Sequence, residues 1–433
     1  MRRNVRNKKN RIQMQEKLKE KKFISILAFS IVFLIFILLG LFVFTQIKNW
    51  NYQAELSKQS EDILSTNIEE ANSVEVSSTP EMDEQKPITF TLTAIGDVMC
   101  HNTQYWDAYQ KETNTYDFSY VFNDIKYDIQ KSDIAVASLE TCFAGEERGY
   151  SNYPTFNSPD SLAYSLKDIG IDVLSTAGNH CLDMGFDGLS RTIDILNKAD
   201  ISHLGTYQTQ EERDKILFKY TKGLKVAFIN YTYGTNGIPV PSDKPYCVNL
   251  IDKDLIKKDI ESAKSQDADV IVACMHWGTE YQTSANKEQE DLADFLFQNG
   301  VNIILGNHPH VLQPMEKRTV TLEDGSTQDG FIIYALGNFI CDQNAENTRN
   351  SIILNLSITK QVDGSITIDN VDYIPIYMYK DTSKSVQKMK VLNIEKTLKL
   401  YESGTDTSIG QSTYTYLQTQ LTKINQILKR ENT

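Results

Sequence analysis

The chain has 433 residues, 40% of them hydrophobic, and a formal net charge of −13 at pH 7. This acidic balance argues against nucleic acid as a partner, because the phosphate backbone would repel it. The six cysteines do not pair as Cys-x-x-Cys, and most stand beside polar motifs. We interpret them as small buried hydrophobic side chains, with disulfides or one thiolate metal ligand as the alternatives.

Residues 1–22 are strongly basic, and residues 23–44 carry no charge. The first segment holds ten Lys or Arg against two Glu. The second, as a helix, would be about 33 Å long, enough to cross a hydrocarbon core of about 30 Å. A cleaved signal peptide is the alternative, but it needs a small-residue cleavage site, which residues 44–50 lack. We predict a basic cytoplasmic segment at 1–22, one N-terminal transmembrane helix at 23–44, and the rest outside the cell membrane.

The next segment, residues 45–87, is predicted to be a flexible acidic tether. Between 46 and 87 it carries nine acidic residues and three lysines. No sustained apolar period appears from which a core could form. A short helix around Ile63 and Ile68 is the alternative.

From Ile88 onward the pattern is that of a globular α/β domain. Short apolar runs predict strands, and segments with apolar residues at helical spacing lie between several of them. The predicted strands cover 88–95, 134–139, 171–176, 225–231, 269–275, 301–305, 330–336, 350–357 and 367–376. Helices are predicted to start near Pro159 and to cover 187–199, 252–266 and 285–298. The hairpin-like later strands indicate that part of the sheet is antiparallel.

We predict one domain over 88–378, which is long enough to bury a sizeable core. Residues 379–433 are predicted to form a C-terminal helical tail. Its apolar stripe consists of Tyr414, Leu417, Leu421, Ile424 and Leu428. The stripe is expected to pack back on the domain or on a partner, and a disordered tail is the alternative.

Five of the six histidines follow predicted strands. They are His101, His180, His276, His308 and His310. Strand ends in an open α/β sheet meet at one edge, where ligands bind. Imidazoles collected there with Asp97, Glu140 and Asn179 give a composition typical of a first-row metal site. Scattered core and surface histidines are the alternative.

Gly306–His310 presents two of these imidazoles directly after the strand 301–305. In an extended segment, residues i and i+2 point the same way. His308 and His310 are therefore expected to reach one point, or two adjacent points. A loop with two solvated histidines is the alternative.

His180 follows Asn179, so the two side chains leave the turn in different directions. If Asn179 faces the metal ions, His180 lies beside them and can donate a proton to a leaving group. Asp183 is then expected to hold the second ring nitrogen of His180. The alternative is that Asp183 caps the following helix and that His180 only fills space.

Five motifs between residues 94 and 339 occur together. They are Ala94–Met99, Gly178–Gly185, Met275–Tyr281, Gly306–Glu316 and Tyr334–Phe339. In this combination the chain resembles the capsule-synthesis protein CapA family, associated with poly-γ-glutamate capsule, within the calcineurin-like metallophosphatase superfamily. The resemblance implies an α/β fold of stacked mixed β-sheets flanked by helices, the calcineurin-like metallophosphatase fold, outside a single membrane anchor.

The resemblance also implies two divalent metal ions, with Mn, Fe or Zn as candidates. The implied ligands are Asp97 and His310 for one ion, Asn179, His276 and His308 for the other, and Glu140 as the bridge. The implied catalytic acid is His180, with Asp183 behind it. Positions expected to contact substrate or to support the ligands are His101, Trp277, Glu280, Glu316 and Asn338.

Two positions depart from the metallophosphatase pattern. That pattern usually has a histidine two residues after the first aspartate, where this chain has Met99 and the nearest imidazole is His101. Its bridging acid is usually aspartate, and here it is Glu140, one methylene longer. Both departures argue against an ordinary phosphatase and favour an amide or carboxylate substrate.

Three functions are compatible with these patterns. The first is the synthesis, export or release of an anionic extracellular polymer, with poly-γ-glutamate and other capsule-synthesis membrane subunits as the expected partners. The second is a surface metallophosphoesterase. The third is a non-catalytic assembly subunit of the capsule machinery, against which the nearly complete ligand set counts.

The charge pattern of the first 44 residues predicts a topology that labelling can check. A cysteine introduced into the 46–87 tether should react with an impermeant thiol reagent on whole cells, since the basic flank stays inside. The unmodified chain serves as the blank. Labelling that occurs only after lysis would contradict this orientation.

Overall fold

Two β-sheets that pack face to face form the centre of the structure. It is a computed structural model that describes residues 86–322, 325–405 and 409–428. The predicted segments 1–22 and 23–44, and nearly all of the tether, lie outside the described residues. Within the described ranges, no helix is both long enough and apolar enough to cross a membrane.

Each predicted strand and helix from residue 88 to residue 376 forms close to its predicted position, and further short elements lie between them. In chain order the strands are β1 (Ile88–Val98), β2 (Tyr109–Gln110), β3 (Thr115–Tyr116), β4 (Ile134–Leu139), β5 (Val173–Ser175), β6 (Ser202–Leu204), β7 (Leu217–Thr221), β8 (Leu224–Thr232), β9 (Val270–His276), β10 (Ile303–Asn307), β11 (Met315–Thr321), β12 (Thr327–Ile333), β13 (Asn338–Ile340), β14 (Asn350–Lys360), β15 (Ile366–Lys380) and β16 (Met389–Asn393). The helices of the described ranges are α1 (Asn102–Ala108), α2 (Lys126–Gln130), α3 (Ser161–Asp168), α4 (Gly185–Lys198), α5 (Gln210–Arg213), α6 (Lys253–Ser265), α7 (Lys287–Gln298), α8 (Ile394–Glu402) and α9 (Gln411–Leu428).

Both sheets are mixed. The first has the order β16-β15-β14-β1-β4-β5-β6, and β13 also pairs with β1. The second has the order β11-β12-β10-β9-β8-β7. Pairing is parallel from β1 through β4 and β5 to β6, and from β8 through β9 and β10 to β12. In the first sheet, β14 pairs antiparallel with β1, β15 with β14 and β16 with β15. In the second sheet, β7 pairs antiparallel with β8 and β11 with β12. The prediction of a partly antiparallel α/β domain is therefore confirmed.

Apolar side chains from both sheets fill the space between them. Phe90, Leu92 and Ala94, at alternate positions of β1, share one buried cluster with Val226 and Phe228 of β8. This period-two pattern is what places one face of each strand in a common core. Burying a Leu, Val or Phe side chain fully contributes roughly 1.5–3 kcal/mol, so this layer is a main source of stability.

Helices cover the two outer faces. Leu162 and Leu166 of α3 belong to the cluster on the outer face of the first sheet. Ile256 and Ile260 of α6 and Leu292 of α7 belong to the cluster on the outer face of the second. The apolar spacing that predicts these helices therefore also identifies the faces by which they pack.

The C-terminal stripe packs back on the domain. Leu417, Ile424 and Leu428 of α9 are buried in the same cluster that fills the space between the sheets. Tyr373 of β15 donates its hydroxyl hydrogen to Asn425 Oδ1 at 2.8 Å. The interpretation of the stripe as a packing surface is confirmed.

One connecting segment, residues 334–337, links the carboxyl edges of the two sheets. It leaves β12 of the second sheet and leads into β13, which pairs with β1 of the first. The N–H of Leu336 donates to the carbonyl of Gly306 at 3.0 Å. The N–H of Asp97 donates to the carbonyl of Gly337 at 2.9 Å. These contacts fix the end of β1 relative to the end of β10.

The connecting segment lies so close to Gly306 and Gly96 that neither position has room for a side chain. A Cβ atom on Gly306 would lie 1.8 Å from the carbonyl oxygen of Tyr334. A Cβ atom on Gly96 would lie 1.8 Å from the carbonyl oxygen of Gly337. Because the obstructing atoms are backbone, they cannot move aside without displacing the connecting segment.

Gly306→Ala should therefore lower the free energy of unfolding by about 3 kcal/mol, the upper range for inserting a methyl group into a packed site. Urea denaturation of the purified protein measures this. The matched control is Gly234→Ala, because a Cβ atom there meets nothing within 4 Å. Equal stability of the two variants would contradict the close packing of the sheet edges.

Candidate dinuclear metal site

The predicted site residues come together at the carboxyl edges of both sheets. Parallel register places Asp97 of β1 opposite Ser138 of β4. In the second sheet it places Asn307 of β10 opposite His276 of β9. Glu140 directly follows β4, and its N–H donates to the Val98 carbonyl at 3.1 Å. Strand ends thus supply the site as predicted, but from two sheets rather than one.

The two imidazoles of the turn after β10 converge for a different reason from the one expected. His308 and His310 are not extended; they have φ angles of +98° and +61°. Left-handed backbone at such residues costs about 1–3 kcal/mol and is found mainly at functional sites. The His308 N–H donates to Asp97 Oδ2 at 3.1 Å, and the two ring centroids lie 5.9 Å apart. The turn holds both rings inward.

Two groups of three potential metal ligands share one carboxylate. The first group consists of Glu140, His276 and His308, and the second of Asp97, Glu140 and His310. Within each group the ligand atoms lie within 4.8 Å of one another. Glu140 Oε1 is 3.8 Å from His276 Nε2, and Oε2 is 3.7 Å from His310 Nδ1. Ligands about 2.1 Å from one ion lie about 3–4 Å apart, so the two oxygens of Glu140 could each serve one of two ions.

Several atoms of this cluster are buried without a hydrogen-bond partner among the described residues. They are Asp97 Oδ1, both carboxylate oxygens of Glu140, and Nδ1 of His276 and of His308. Leaving a buried polar atom unpaired costs about 1–3 kcal/mol. Divalent first-row cations accept both carboxylate and imidazole ligands. The residues present therefore fit two metal ions.

Burial keeps the two carboxyl groups from ionising easily in the absence of a cation. It raises the pKa of Asp97 to about 7, although the His308 N–H opposes the rise. It also raises the pKa of Glu140 well above its ordinary value, to which Asp97 and Glu280 add repulsion. Binding of a divalent cation would therefore release protons from this site.

Burial has the opposite effect on the imidazoles. It lowers the pKa of His276 well below its ordinary value, that of His308 to about 4 and that of His310 to about 3. Neighbouring histidines lower these values further. Each ring is neutral near pH 7, which is the state that metal binding requires.

Asn179 lies beside the first group. Its Oδ1 is 2.8 Å from His276 Nε2, and its Nδ2 donates to Asn236 Oδ1 at 3.1 Å. These contacts turn the amide oxygen towards the cluster. This is the orientation expected of a metal ligand at Asn179.

His180 and Asp183 form a buried pair at the edge of the cluster. His180 Nδ1 is 2.7 Å from Asp183 Oδ2, and the two side chains are 4% and 0% exposed. The same carboxylate oxygen accepts the N–H of Phe156 at 2.6 Å. Helix α4 begins at Gly185 without a side-chain cap, so Asp183 holds the His180 ring rather than capping that helix.

Asn338 lies behind His310, and Glu280 faces the shared carboxylate. Asn338 Oδ1 is 3.1 Å from His310 Nδ1, and its Nδ2 donates to the Thr348 carbonyl at 2.9 Å. Asn338 therefore fixes the rotation of the His310 ring. Glu280 is near enough to raise the pKa of Glu140 by charge repulsion.

The other three supporting positions make contacts of a structural kind. His101 is the N-cap residue of α1. Trp277 Nε1 donates to the Tyr334 carbonyl at 2.9 Å, which ties the end of β9 to the connecting segment. Glu316 accepts a hydrogen bond from Arg318 Nη2 at 2.7 Å.

Two tyrosines lie at the cluster that are not among the predicted site residues. The Tyr233 ring lies 4.5 Å from that of His308, and the Tyr281 ring lies 5.9 Å from that of His310. Tyr233 is 48% exposed and Tyr281 46%. They form an aromatic rim between the buried ligands and solvent.

Asn236 and Phe156 also contact His180, and the sequence patterns do not predict either contact. Asn236 Nδ2 lies 3.3 Å from His180 Nε2, and the Phe156 ring lies 4.8 Å from that of His180, edge on. Asn236 precedes Gly237, and both have positive φ. An Asn-Gly pair after a predicted strand is a turn signal that could have placed this loop at the site.

All six cysteines are free, and five of them are buried. Burial raises the pKa of Cys100, Cys142 and Cys274 to about 12. Protonated thiols are poor metal ligands. The interpretation of the cysteines as small buried side chains is confirmed.

The model of the family described as bacterial capsule synthesis protein PGA_cap matches residues 91–343. The chain is 27% identical over 307 residues to the capsule biosynthesis protein CapA of Bacillus anthracis, covering 68% of this chain and 69% of that protein. It is 30% identical over 224 residues to the PGA biosynthesis protein CapA of Bacillus subtilis (strain 168), covering 51% of this chain and 56% of that protein. The match thus spans about half of the second relative's length. The resemblance expected from the five motifs is confirmed.

Among solved structures, the chain is similar to the calcineurin-like phosphoesterase YfkN from Bacillus subtilis. The two are 17% identical, and the alignment covers 77% of this chain and 99% of that one, with a TM-score of 0.42.

Metal analysis of Glu140→Gln tests the shared carboxylate. The wild-type protein should retain close to two divalent ions per chain after dialysis. Glu140→Gln should lose both ions, because the Glu140 carboxylate belongs to both ligand groups. Asp97→Asn should lose mainly one ion, because Asp97 belongs to one group. Glu261→Gln, at an exposed position on α6, is the control. Retention of two ions by Glu140→Gln would exclude it as the bridge.

Proposed function

The chain belongs to the bacterial capsule synthesis protein family PGA_cap, and from this premise we propose that it is a metal-dependent enzyme acting on the amide bonds of a polyglutamate-type capsule polymer. The observation that carries the proposal is the pair of ligand groups sharing Glu140, with the His180–Asp183 pair beside them. This combination has what hydrolysis of an unactivated amide requires: charge to activate water and an acid for the leaving amine.

Each residue of the cluster has a task in binding or orientation. Two divalent ions, when bound, would polarise the scissile carbonyl and lower the pKa of a water molecule. Glu140 keeps the two ligand groups at a fixed separation, and Asn338 fixes the His310 ring from behind. Tyr233 and Tyr281 limit solvent access to the ligands.

His180 supplies the proton for the leaving group. In amide hydrolysis, water adds to the carbonyl carbon, the C–N bond breaks, and the amine nitrogen takes up a proton. Asp183 holds Nδ1, which leaves Nε2 as the nitrogen that can carry and transfer this proton. Proton transfer of this kind contributes typically about 10²–10⁴-fold to the rate.

The first loop supports an amide rather than a phosphate ester as the substrate. Met99, at the position where metallophosphatases usually have an imidazole, packs with Phe156 and Cys341 in a small apolar cluster. His101 belongs to neither group of potential ligands, and its Nδ1 accepts the N–H of Asp342 at 3.2 Å. The first loop therefore lacks the imidazole that the metallophosphatase pattern has at this position.

The proposal includes the location. We propose that residues 23–44 anchor the protein in the cell membrane and that the domain acts on polymer outside the cell. The basis is the charge pattern of residues 1–44, which lie outside the described residues.

The His180→Gln variant tests the enzymatic proposal. It should retain both metal ions and melt near the wild-type temperature, but lose about 10²-fold or more in turnover of poly-γ-glutamate. Turnover is measured as new amino groups released from the purified polymer, and phosphoesters are assayed in parallel.

His203→Gln is the matched control, because this histidine lies on β6 and contacts Asn197. If His180→Gln loses metal together with activity, the residue is a ligand and the division of roles is wrong. Turnover of phosphoesters but not of polymer by the wild-type protein would favour the surface phosphoesterase.

A further inference from the structure

We propose that a pocket between α9 and the loop 342–350 binds a second segment of the same carboxylate-bearing polyamide chain. The identity of this polymer rests on the proposed function. The pocket has a volume of about 320 Å³ and is contiguous with a second of about 250 Å³, which shares the residues Arg349, Tyr377 and Tyr416. None of the predicted metal ligands lines either pocket.

The charge of the lining is opposite to that of the chain. Arg349, Lys380 and Lys423 line the two pockets, together with one carboxylate, Glu346, in a protein of net charge −13. Arg349 and Lys380 both pair with Asp342. Among the described residues, Lys423 pairs with Glu346 alone, at 2.8 Å, and these side chains are 36% and 77% exposed. Exposed pairs are weak, so a ligand carboxylate can take the place of Glu346 at Lys423.

The pocket also contains buried acceptors that lack donors. Asn350 is 1% exposed, and its Nδ2 donates to Gln420 Oε1 at 2.8 Å. Its Oδ1 has no partner among the described residues, and the same holds for Oδ1 of Asn347. Buried acceptors are almost always paired in folded proteins. Rotation of either amide towards the pocket would present this oxygen to an N–H group of a ligand, and a polyamide offers one in every repeat.

Two tyrosines add flat surface. The rings of Tyr377 and Tyr416 lie 5.6 Å apart at 68°, and Tyr416 is 48% exposed. Such faces pack well against methylene groups. The three kinds of group in the pocket match the three parts of a glutamyl unit. The cation of Lys423 matches the carboxylate, the amide oxygens match the N–H group, and the tyrosine ring faces match the methylene groups. A polyphosphate ester offers no N–H to the acceptors, and a neutral polysaccharide offers no carboxylate to Lys423.

The pocket and the metal site share a loop. Thr348 and Gln343 of the loop 342–350 both accept hydrogen bonds from Asn338 Nδ2 at 2.9 Å. Asn338 in turn holds His310. A polymer segment bound in the pocket would therefore contact the same loop that positions one of the metal ligands.

Binding of a γ-linked glutamate oligomer to the full chain tests the pocket. The His180→Gln background prevents turnover, and titration calorimetry measures the affinity. Lys423→Ala and Tyr416→Ala should each weaken binding, the former about tenfold, as expected for one charge-assisted hydrogen bond. Their metal content should not change.

The chain offers close controls for both variants. Lys126 is 36% exposed like Lys423 and pairs with one carboxylate, Asp168, at 2.6 Å. Tyr164 is 47% exposed, against 48% for Tyr416. Lys126→Ala and Tyr164→Ala should therefore bind the oligomer as tightly as the parent does.

The outcomes separate the pocket from the enzymatic proposal. Equal affinity of pocket variants and controls, or no binding by the parent, overturns the pocket, whatever the wild-type protein does to polymer. Weaker binding by the pocket variants supports the pocket even if the wild-type protein shows no turnover. In that case the pocket is a polymer-binding site on a non-catalytic protein.

Discussion

The close approach of backbone to backbone at the sheet edges is the constraint on which the site depends. The carbonyl oxygens of Tyr334 and Gly337 occupy the space where a side chain at Gly306 or Gly96 would be. This contact brings the ends of β1 and β10 together, and with them Asp97 of one sheet and the two turn histidines of the other. A metal site assembled from two sheets needs such a joint, since ligand positions must hold to within about 0.5 Å.

The close contact between the sheet edges has an electrostatic consequence. It places two carboxyl groups and three imidazoles where water is largely excluded, so burial shifts the pKa values of both kinds of group towards the neutral form. The cluster can therefore fold without bound cations and without a large charge penalty. The folded protein then holds a preformed set of potential ligands that would release protons on binding metal. Left-handed backbone at His308 and His310 is the conformational cost of that arrangement.

Local sequence patterns predict the interior of this fold better than its periphery. The run 134–139 coincides with β4, and the parallel strands on either side were predicted to within a few residues, because buried strands carry continuous apolar runs. Strands β6, β7, β11 and β16 are not predicted, and all four lie at sheet edges. All residues of β11 except the buried Val320 are exposed or half-buried, so their sequence carries little apolar signal. The division into two sheets is likewise invisible in any single run, since it depends on pairing between distant segments.

The same distinction applies to the site. Motifs at strand ends predict Asp97, Glu140, Asn179, His276, His308 and His310, and the structure brings all six together. Phe156 could not be found in this way, because it reaches the cluster from a loop whose course depends on tertiary packing. Tyr233 and Asn236 follow β8, and the Asn-Gly turn is the only signal there. Glu316 shows the converse: it lies in a motif of the family, yet its side chain pairs with Arg318. Proximity in sequence to a ligand does not determine where a side chain points.

The six free thiols have a consequence for the life of the protein in an oxidising environment. None is bonded to another in the fold, and burial protects five of them from oxidants. That protection lasts only while the domain stays folded. Once the domain unfolds, the thiols become accessible and can form mixed or mispaired disulfides that prevent return to the native state. In such an environment the lifetime of the domain would then be set by its rate of unfolding rather than by its equilibrium stability.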